Sequence, residues 1–177
     1  MTMLSLWAMT VRLALLLLLA LVGCRTSARA PDWQQLQAEV GALNFYDFSK
    51  PGDLESVWET AYRDALPRIA RHLGYRTEPQ PLWQGCLQVI YESPTQAVTS
   101  DPKGKLQAAL KARGFKQDLQ TAPLAPFDPL EAMLMRLGAA AEFWVSPRGD
   151  PVSLLIMEPL GREVTYLCLI AWPDGQG

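Results

Sequence analysis

Four segments of the chain carry apolar residues three and four residues apart, the spacing that is typical of one helix face. The predicted helices cover residues 33–43, 53–73, 102–113 and 129–137. Asp32 and Asp128 stand where helix-capping residues belong, while Gly74 and Gly114 follow the second and third segments as stops. Pro67 falls inside the second segment, so we expect a kink or a break there.

Other segments have the alternation and composition of strands. Three runs near the C-terminus are rich in β-branched and aromatic residues, namely Glu142–Ser146, Val152–Glu158 and Glu163–Trp172. Short connectors with Gly and Pro separate them, which predicts an antiparallel meander. Cys86–Glu92 predicts a fourth strand, and Phe115–Leu119 a weaker fifth. The last run is apolar at both alternating sets of positions, which indicates a central strand or one covered on both faces.

The order of these elements predicts the fold class. A chain of 177 residues, 49% of them hydrophobic, can bury one substantial core, and we place a single domain at residues 32–177. We expect an α+β two-layer sandwich with a mostly antiparallel sheet of about four to five strands. Its last three strands form the meander, and its helices lie on one face.

The N-terminal segment has the composition of a targeting sequence. Eighteen of the first 23 residues are apolar, and Arg12 is the only charged one among them. The uninterrupted apolar run from Leu13 to Val22 is about half of the roughly 20 residues that a transmembrane helix needs. Residues 1–23 therefore predict a secretory signal peptide. A retained membrane helix is the alternative, since the apolar count reaches spanning length if it is extended back past Arg12.

The end of this segment, Leu21-Val22-Gly23-Cys24, resembles the lipobox of bacterial lipoprotein precursors. The resemblance covers residues 1–24 and implies cleavage before Cys24, whose thiol receives a diacylglycerol and whose amino group is usually acylated, for example with palmitate. Residues 24–31 would then be the lipidated cysteine and a short tether. Such acyl chains hold a domain at a membrane surface without a protein span. In this family, proteins that stay at the inner membrane often have Asp after the cysteine, whereas this chain has Arg25. The resemblance therefore implies that the protein lies at the outer membrane and faces the periplasm if the host has two membranes. If the host has one membrane, the resemblance implies the outer face of that membrane.

Two further cysteines, Cys86 and Cys168, lie in strand-like runs. Secretion would place them in an oxidising compartment, where thiols tend to pair. One possibility is a disulfide across the sheet, and the alternative is two separate buried thiols that pack as small apolar groups.

Charge and motifs exclude several classes of function. The chain has 16 Lys and Arg residues against 18 Asp and Glu residues, whereas a dedicated nucleic-acid binder is usually strongly basic. We therefore expect no nucleic-acid partner. The sequence has no C-x-x-C pair, no P-loop spacing and no G-x-S-x-G elbow, so we expect neither a metal nor a cofactor.

Two groups of residues could nevertheless support catalysis. His72 is the only histidine, so a Ser-His or Cys-His hydrolase would have to use it. Glu55, Glu59 and Arg63 follow one another at i,i+4 spacing, and paired carboxylates can do acid-base work. The simpler interpretation is a helix histidine near a C-terminus and ordinary surface ion pairs.

Three features are candidates for binding. Lys103, Lys105 and Lys111 belong to the one basic segment of the chain, which could contact anionic headgroups or an acidic partner. The polar loop from Ser93 to Ser100, with Ser93 and Thr95 at its start, follows a strand. Trp83 fits no apolar stripe and is the best candidate for an exposed aromatic ring.

These observations predict a lipid-anchored bacterial envelope protein that is a non-catalytic binding or assembly module, with the membrane and another envelope protein as its partners. One alternative is an envelope hydrolase that acts on glycan or peptide, which a concave site containing His72 or paired carboxylates would support. The other is a passive structural lipoprotein, which predicts no concave site.

Overall fold

The computed structural model describes residues 29–47, 56–91, 100–119, 129–136, 138–158 and 163–174, with side chains except at 56–59 and 129. In these ranges the helices are α1 (Trp33–Val40), α2 (Ser56–His72), α3 (Pro102–Ala112) and α4 (Pro129–Arg136). The strands are β1 (Asn44–Tyr46), β2 (Trp83–Ile90), β3 (Lys116–Gln117), β4 (Ala139–Val145), β5 (Pro151–Met157) and β6 (Val164–Ala171).

The strands form one six-stranded sheet in the order β1-β2-β6-β5-β4-β3. Every neighbouring pair is antiparallel, and β4, β5 and β6 make the predicted C-terminal meander. The α+β class and the antiparallel sheet are thus confirmed, with one strand more than the expected upper number. Although β2 is far from β6 in the sequence, the two strands pair along their whole length, from Trp83 opposite Ala171 to Ile90 opposite Val164.

Helices cover both faces of the sheet, in contrast to the expected single helical layer. On one face, Leu167 and Leu169 of β6 belong to a core that includes residues of α1 and α3. On the other face, Cys168 and Ile170 belong to a core that includes residues of α2 and α4. Since β5 and β6 are apolar at both alternating sets of positions, each face must be shielded from water. The last strand is thus covered on both faces, as its apolar pattern indicates. The architecture has three layers, with the sheet between two layers of helices.

The first helix is shorter than expected, and a short strand follows it. The apolar spacing extends the first helix to Leu43, but α1 ends at Val40 because Gly41 adopts a left-handed conformation (φ 77°). The chain then turns back, and Asn44–Tyr46 pairs with β2 as an edge strand that the sequence did not predict. Leu43, expected to face inward, is 62% exposed.

The second helix contains Pro67 and continues to His72 without the expected break. Its inward positions Tyr62, Ala65 and Ile69 are almost fully buried. Burial of this stripe against the sheet outweighs the backbone hydrogen bond that the proline removes. The helix therefore presents one continuous inner face to β2 and β6.

Candidate ligand-binding cleft

A cleft of about 360 Å³ lies between α2 and the start of β2. Its described lining residues are Tyr62, Arg63, Leu66, Glu78 and Gln84. Tyr62 and Leu66 are one turn apart on the inner face of α2, while Arg63 stands beside them at the exposed edge of the helix. Glu78 comes from the segment between α2 and β2, and Gln84 is the second residue of β2.

The floor of the cleft is polar and fixed by a hydrogen bond. The Tyr62 hydroxyl donates to Oε1 of Gln84 over 2.8 Å, and the tyrosine side chain is only 1% exposed. Burial raises the pKa of Tyr62 well above its usual range, and the negative charge of Glu78 raises it further. The hydroxyl is thus a neutral donor at physiological pH. Because this bond uses the carbonyl oxygen of Gln84, its NH₂ group offers two donors on the other branch of the same amide.

The rim carries opposite charges. Arg63 and Glu78 are both exposed, on α2 and on the connecting segment respectively. Leu66 adds an apolar wall that is 9% exposed. The arrangement can hold a small polar molecule by hydrogen bonds and by charge.

A second polar cluster follows the same face of β2. Oε1 of Gln88 accepts hydrogen bonds from the Tyr46 hydroxyl at 2.8 Å and from Nδ2 of Asn44 at 2.7 Å. Nε2 of Gln88 donates to the Tyr166 hydroxyl at 3.0 Å. These contacts connect β1, β2 and β6 side by side, so the strand that carries Gln84 is held in place from both neighbours.

Cys86 lies between these two glutamines on the same face and is bonded to Cys168. The two cysteines are direct partners in the β2–β6 register and are fully buried. Of the two alternatives left by the sequence, the structure contains the disulfide.

The expectation of an exposed Trp83 is wrong. Its side chain is 9% exposed and belongs to the core between the sheet and helices α1 and α3. The ring of Trp33 meets it edge to face, with centroids 5.9 Å apart. Trp83 is the first residue of β2, one position before Gln84, so the strand alternation directs it to the opposite face from the cleft.

The basic segment is partly neutralised. Lys103 forms a 2.7 Å ion pair with Glu142, and Arg113 forms one of the same length with Glu39. Lys105 and Lys111 are exposed on α3, whose core contacts lie on the other sheet face from the cleft. The predicted lysines therefore do not contribute to the cleft.

The remaining candidates divide into two groups. Cys24, Ser93, Thr95 and Glu55 lie outside the described residues, as does the side chain of Glu59. His72 is half-buried at the end of α2, where its ring stacks on Phe143 with a centroid distance of 4.8 Å. It is not among the described residues that line the cleft.

Of the described residues that line the cleft, the sequence singled out only Arg63, and it missed Tyr62, Leu66, Glu78 and Gln84, although part of the signal was present. Alternation in the segment Trp83–Ile90 places Gln84, Cys86 and Gln88 on one strand face. Two glutamines in an otherwise apolar strand require hydrogen-bond partners once they are covered. Nothing in the sequence identified Tyr62 and Tyr46 as those partners, because they come from separate elements.

Within the described ranges, no three His, Cys, Asp or Glu side chains come together as a group that could hold a metal ion. No described helix combines the length and apolarity required to span a membrane. In comparisons with protein-family models, curated proteins and solved structures, no match to the chain was found.

Proposed function

We propose that this chain is a lipid-anchored bacterial envelope protein whose domain is a non-catalytic binding module, and that the cleft between α2 and β2 is its binding site. The observation that carries this proposal is the Tyr62–Gln84 hydrogen bond at the floor of an open cleft. A hydrogen-bonded pair of a buried tyrosine and a half-buried glutamine beneath an accessible opening gives a rigid surface on which a ligand can be oriented.

The chemistry of the lining supports binding over hydrolysis. Among the described residues that line the cleft there is one carboxylate, Glu78, and no histidine, serine, threonine or cysteine. A hydrolase of the kind considered from the sequence would need His72 or a carboxylate pair at the site. The groups present are suited to recognition: a hydroxyl, an amide, a guanidinium and one carboxylate.

The anchor at Cys24 is supported by the resemblance of residues 21–24 to the lipobox. The helix α1 begins at Trp33, only a short way along the chain from Cys24. In a lipidated protein this tether would keep the domain near the membrane surface. Residues 1–23 would be removed as the signal peptide.

Crosslinking in living cells tests the binding site. A photoreactive amino acid replaces Thr77, which is exposed beside the rim residue Glu78, and in a matched control it replaces Gln34, which is exposed on α1. We expect the Thr77 variant to capture an envelope component reproducibly and the Gln34 variant not to capture it. Adding Gln84→Ala to the Thr77 variant should abolish the capture. Equal capture at both positions, or capture that survives Gln84→Ala, would refute the cleft as the site.

The anchor is tested separately by Cys24→Ser. We expect the protein to move from the membrane fraction to the soluble fraction and to lose the mass of its acyl chains in intact-protein mass spectrometry. A Cys24→Ser protein that stays in the membrane fraction at full length would favour the retained apolar helix instead.

A further inference from the structure

Two lysines of α3 carry charges that the fold does not use. Lys105 and Lys111 are exposed, and within the described ranges neither of them has an ion-pair partner. Ala108, also exposed, lies between them at three-residue spacing, and no acidic residue occurs between Asp101 and Asp118. The small side chain between the two cations leaves room for a surface to approach them closely.

The acidic side chains of the layer that α1 and α3 form are engaged within it. The Glu39 carboxylate pairs with the Arg113 guanidinium over 2.7 Å. Asp32 and Asp101 cap α1 and α3, where each accepts a hydrogen bond from the helix backbone, over 3.1 Å and 2.9 Å. A carboxylate at a helix N-terminus is offset by the positive end of the helix dipole. The charges that this layer leaves available are therefore those of the lysines.

The proposed anchor is connected to the same layer. Asp32, the N-cap of α1, is eight residues after Cys24. Eight extended residues span at most about 26–29 Å, so acyl chains on Cys24 would keep the start of α1 within that distance of the lipid. The pair of Glu39 and Arg113 joins α1 to the end of α3, two residues after Lys111.

We propose that the solvent side of α3 around Lys105, Ala108 and Lys111 docks on an anionic phospholipid surface when the protein is anchored. This inference rests on the proposed lipid anchor at Cys24. It adds the orientation of the domain, in which α1 and α3 face the membrane. The cleft then lies on the far side of the sheet, since α2 packs on the opposite face from α1 and α3.

The chemistry of lysine suits a lipid surface as the occupant. An ammonium group is a compact point charge that binds phosphate without a fixed geometry. An anionic leaflet attracts such groups within about one Debye length, roughly 8 Å at physiological ionic strength. Two lysines alone would hold a protein at a membrane only weakly. An anchored domain needs no more, because its acyl chains already keep it at the surface.

The test uses the full lipidated protein in vesicles made of an equal mixture of phosphatidylcholine and phosphatidylglycerol. A photoreactive amino acid replaces Ala108, and in a matched control it replaces Asp64, which is exposed on α2. After irradiation, mass spectrometry detects a phospholipid adduct. We expect the adduct at Ala108 and little at Asp64, although the control variant has lost an acidic side chain and should approach anionic lipid more readily.

Charge variants identify the groups that hold the face to the lipid. In the Ala108 variant, Lys105→Gln with Lys111→Gln should lower the adduct yield by about fivefold or more, because each lysine near the surface adds to the attraction. Vesicles of phosphatidylcholine alone should lower it similarly, as should about 1 M salt, where the Debye length is about 3 Å. Arg68→Gln with Arg71→Gln, exposed arginines of α2, should leave the yield unchanged.

Equal yields at Ala108 and Asp64, or a yield that does not depend on the two lysines, would overturn the inference. An Ala108 variant that captures an acidic protein in cells and gains no lipid in vesicles would also overturn it, because the face would then belong to a protein partner.

These readouts separate the inference from the proposed function. If intact-protein mass spectrometry shows no acyl chains, the anchor and the inference fall together. If the acyl chains are present and Ala108 gains no lipid, the inference alone falls. If Ala108 gains lipid while the photoreactive Thr77 variant captures nothing in cells, the docking face stands and the cleft falls as the binding site.

Discussion

Cys86 and Cys168 are direct partners on β2 and β6, the second and third strands of the sheet, and are joined by a disulfide. The bond connects positions 82 residues apart in sequence. Cys86 lies two residues after Gln84 on the same face of β2, and the amide oxygen of Gln84 accepts a hydrogen bond from the Tyr62 hydroxyl in the cleft. The covalent link therefore fixes the strand that carries the floor of the proposed binding site.

Removal of this disulfide should destabilise the fold substantially. On the chain-entropy model, a loop of this length contributes about 4–5 kcal/mol. We expect a reduced wild-type protein and a Cys86→Ala/Cys168→Ala variant both to unfold at clearly lower urea concentration. Comparing the two separates the effect of the bond from the effect of the sulfur atoms on packing. An unchanged urea midpoint after verified reduction would contradict the prediction.

Gly85 should not tolerate a side chain. A Cβ at this position of β2 would lie 2.6 Å from Cε2 of Phe45 and 3.0 Å from Cζ2 of Trp33, two rings that stack with centroids 4.7 Å apart. We expect Gly85→Ala to lower the free energy of unfolding by about 1–3 kcal/mol through overpacking. Adding Phe45→Leu should recover part of the loss, measured against Phe45→Leu alone. A Gly85→Ala protein with wild-type stability would show that the rings move aside freely.

Tyr62 should make the protein sensitive to alkaline pH. Burial, and secondarily the charge of Glu78, raise the pKa of Tyr62 above the ordinary value of 10.0. The folded state keeps the Tyr62 hydroxyl protonated at a pH where the unfolded chain ionises it. The contribution of Tyr62 to the free energy of unfolding is therefore complete below about pH 10 and declines as pH rises further, because unfolding then releases a proton. We expect Tyr62→Phe to lower the free energy of unfolding by about 1 kcal/mol at neutral pH, because the variant lacks the hydrogen bond to Gln84.

The same variant should show a shallower loss of stability above pH 10. Some loss should remain, because burial also raises the pKa of Tyr75. Urea unfolding from pH 7 to strongly alkaline pH measures both effects, and the ultraviolet absorbance of tyrosinate reports the ionisation directly. Parallel alkaline limbs for the wild type and Tyr62→Phe would refute the assignment to Tyr62.

Glu39 and Arg113 form a bidentate pair between the ends of α1 and α3. The guanidinium donates to both carboxylate oxygens, over 2.7 Å and 2.9 Å. This hydrogen bonding is the largest cause that lowers the pKa of Glu39 and raises that of Arg113. The pair is partly accessible to solvent, with 21% of the Arg113 side chain and 35% of the Glu39 side chain exposed, so we expect a coupling of about 0.5–1 kcal/mol in a double-mutant cycle of Glu39→Gln and Arg113→Gln.

The pH dependence of that coupling follows from the sign of the Glu39 shift. The carboxyl group of Glu39 has a pKa below the ordinary value of 4.5. The stabilisation by the charged pair is therefore complete above about pH 4.5 and is lost as the pH falls through the lowered pKa. The cycle measured at neutral pH and in strong acid should give a positive and then a vanishing coupling energy. A coupling that persists in acid would mean that the charged pair is not its source.

The sequence predicted the local structure well where a single physical pattern determined it. The pattern predicts a helix over 102–113 that Gly114 stops, and α3 covers Pro102–Ala112. The structure adds the N-cap, Asp101, whose side chain accepts a hydrogen bond from the backbone of Gly104. The C-terminal meander was equally evident from its alternating runs and short turns. By contrast, β1 has three residues and is stabilised by pairing with β2, a contact that no local pattern records.

The candidate residues show the same division. His72 and the basic segment drew attention because of their residue types, yet the structure places neither in the cleft. Trp83 fits no apolar stripe, which predicts an exposed ring, whereas its position in β2 buries it. The side chains that line the cleft are ordinary types, and their neighbours are set by which helix packs on which face.

The sequence by itself determined the helices, the strands of the meander and the α+β class, because these depend on apolar periodicity and on the turn and capping residues between the elements. Tertiary structure alone decided which helices cover each sheet face, that Cys86 faces Cys168 and that Tyr62 reaches Gln84. The physical reason is that such contacts join residues distant in the chain, whose meeting depends on sheet register and helix packing that local periodicity leaves undetermined.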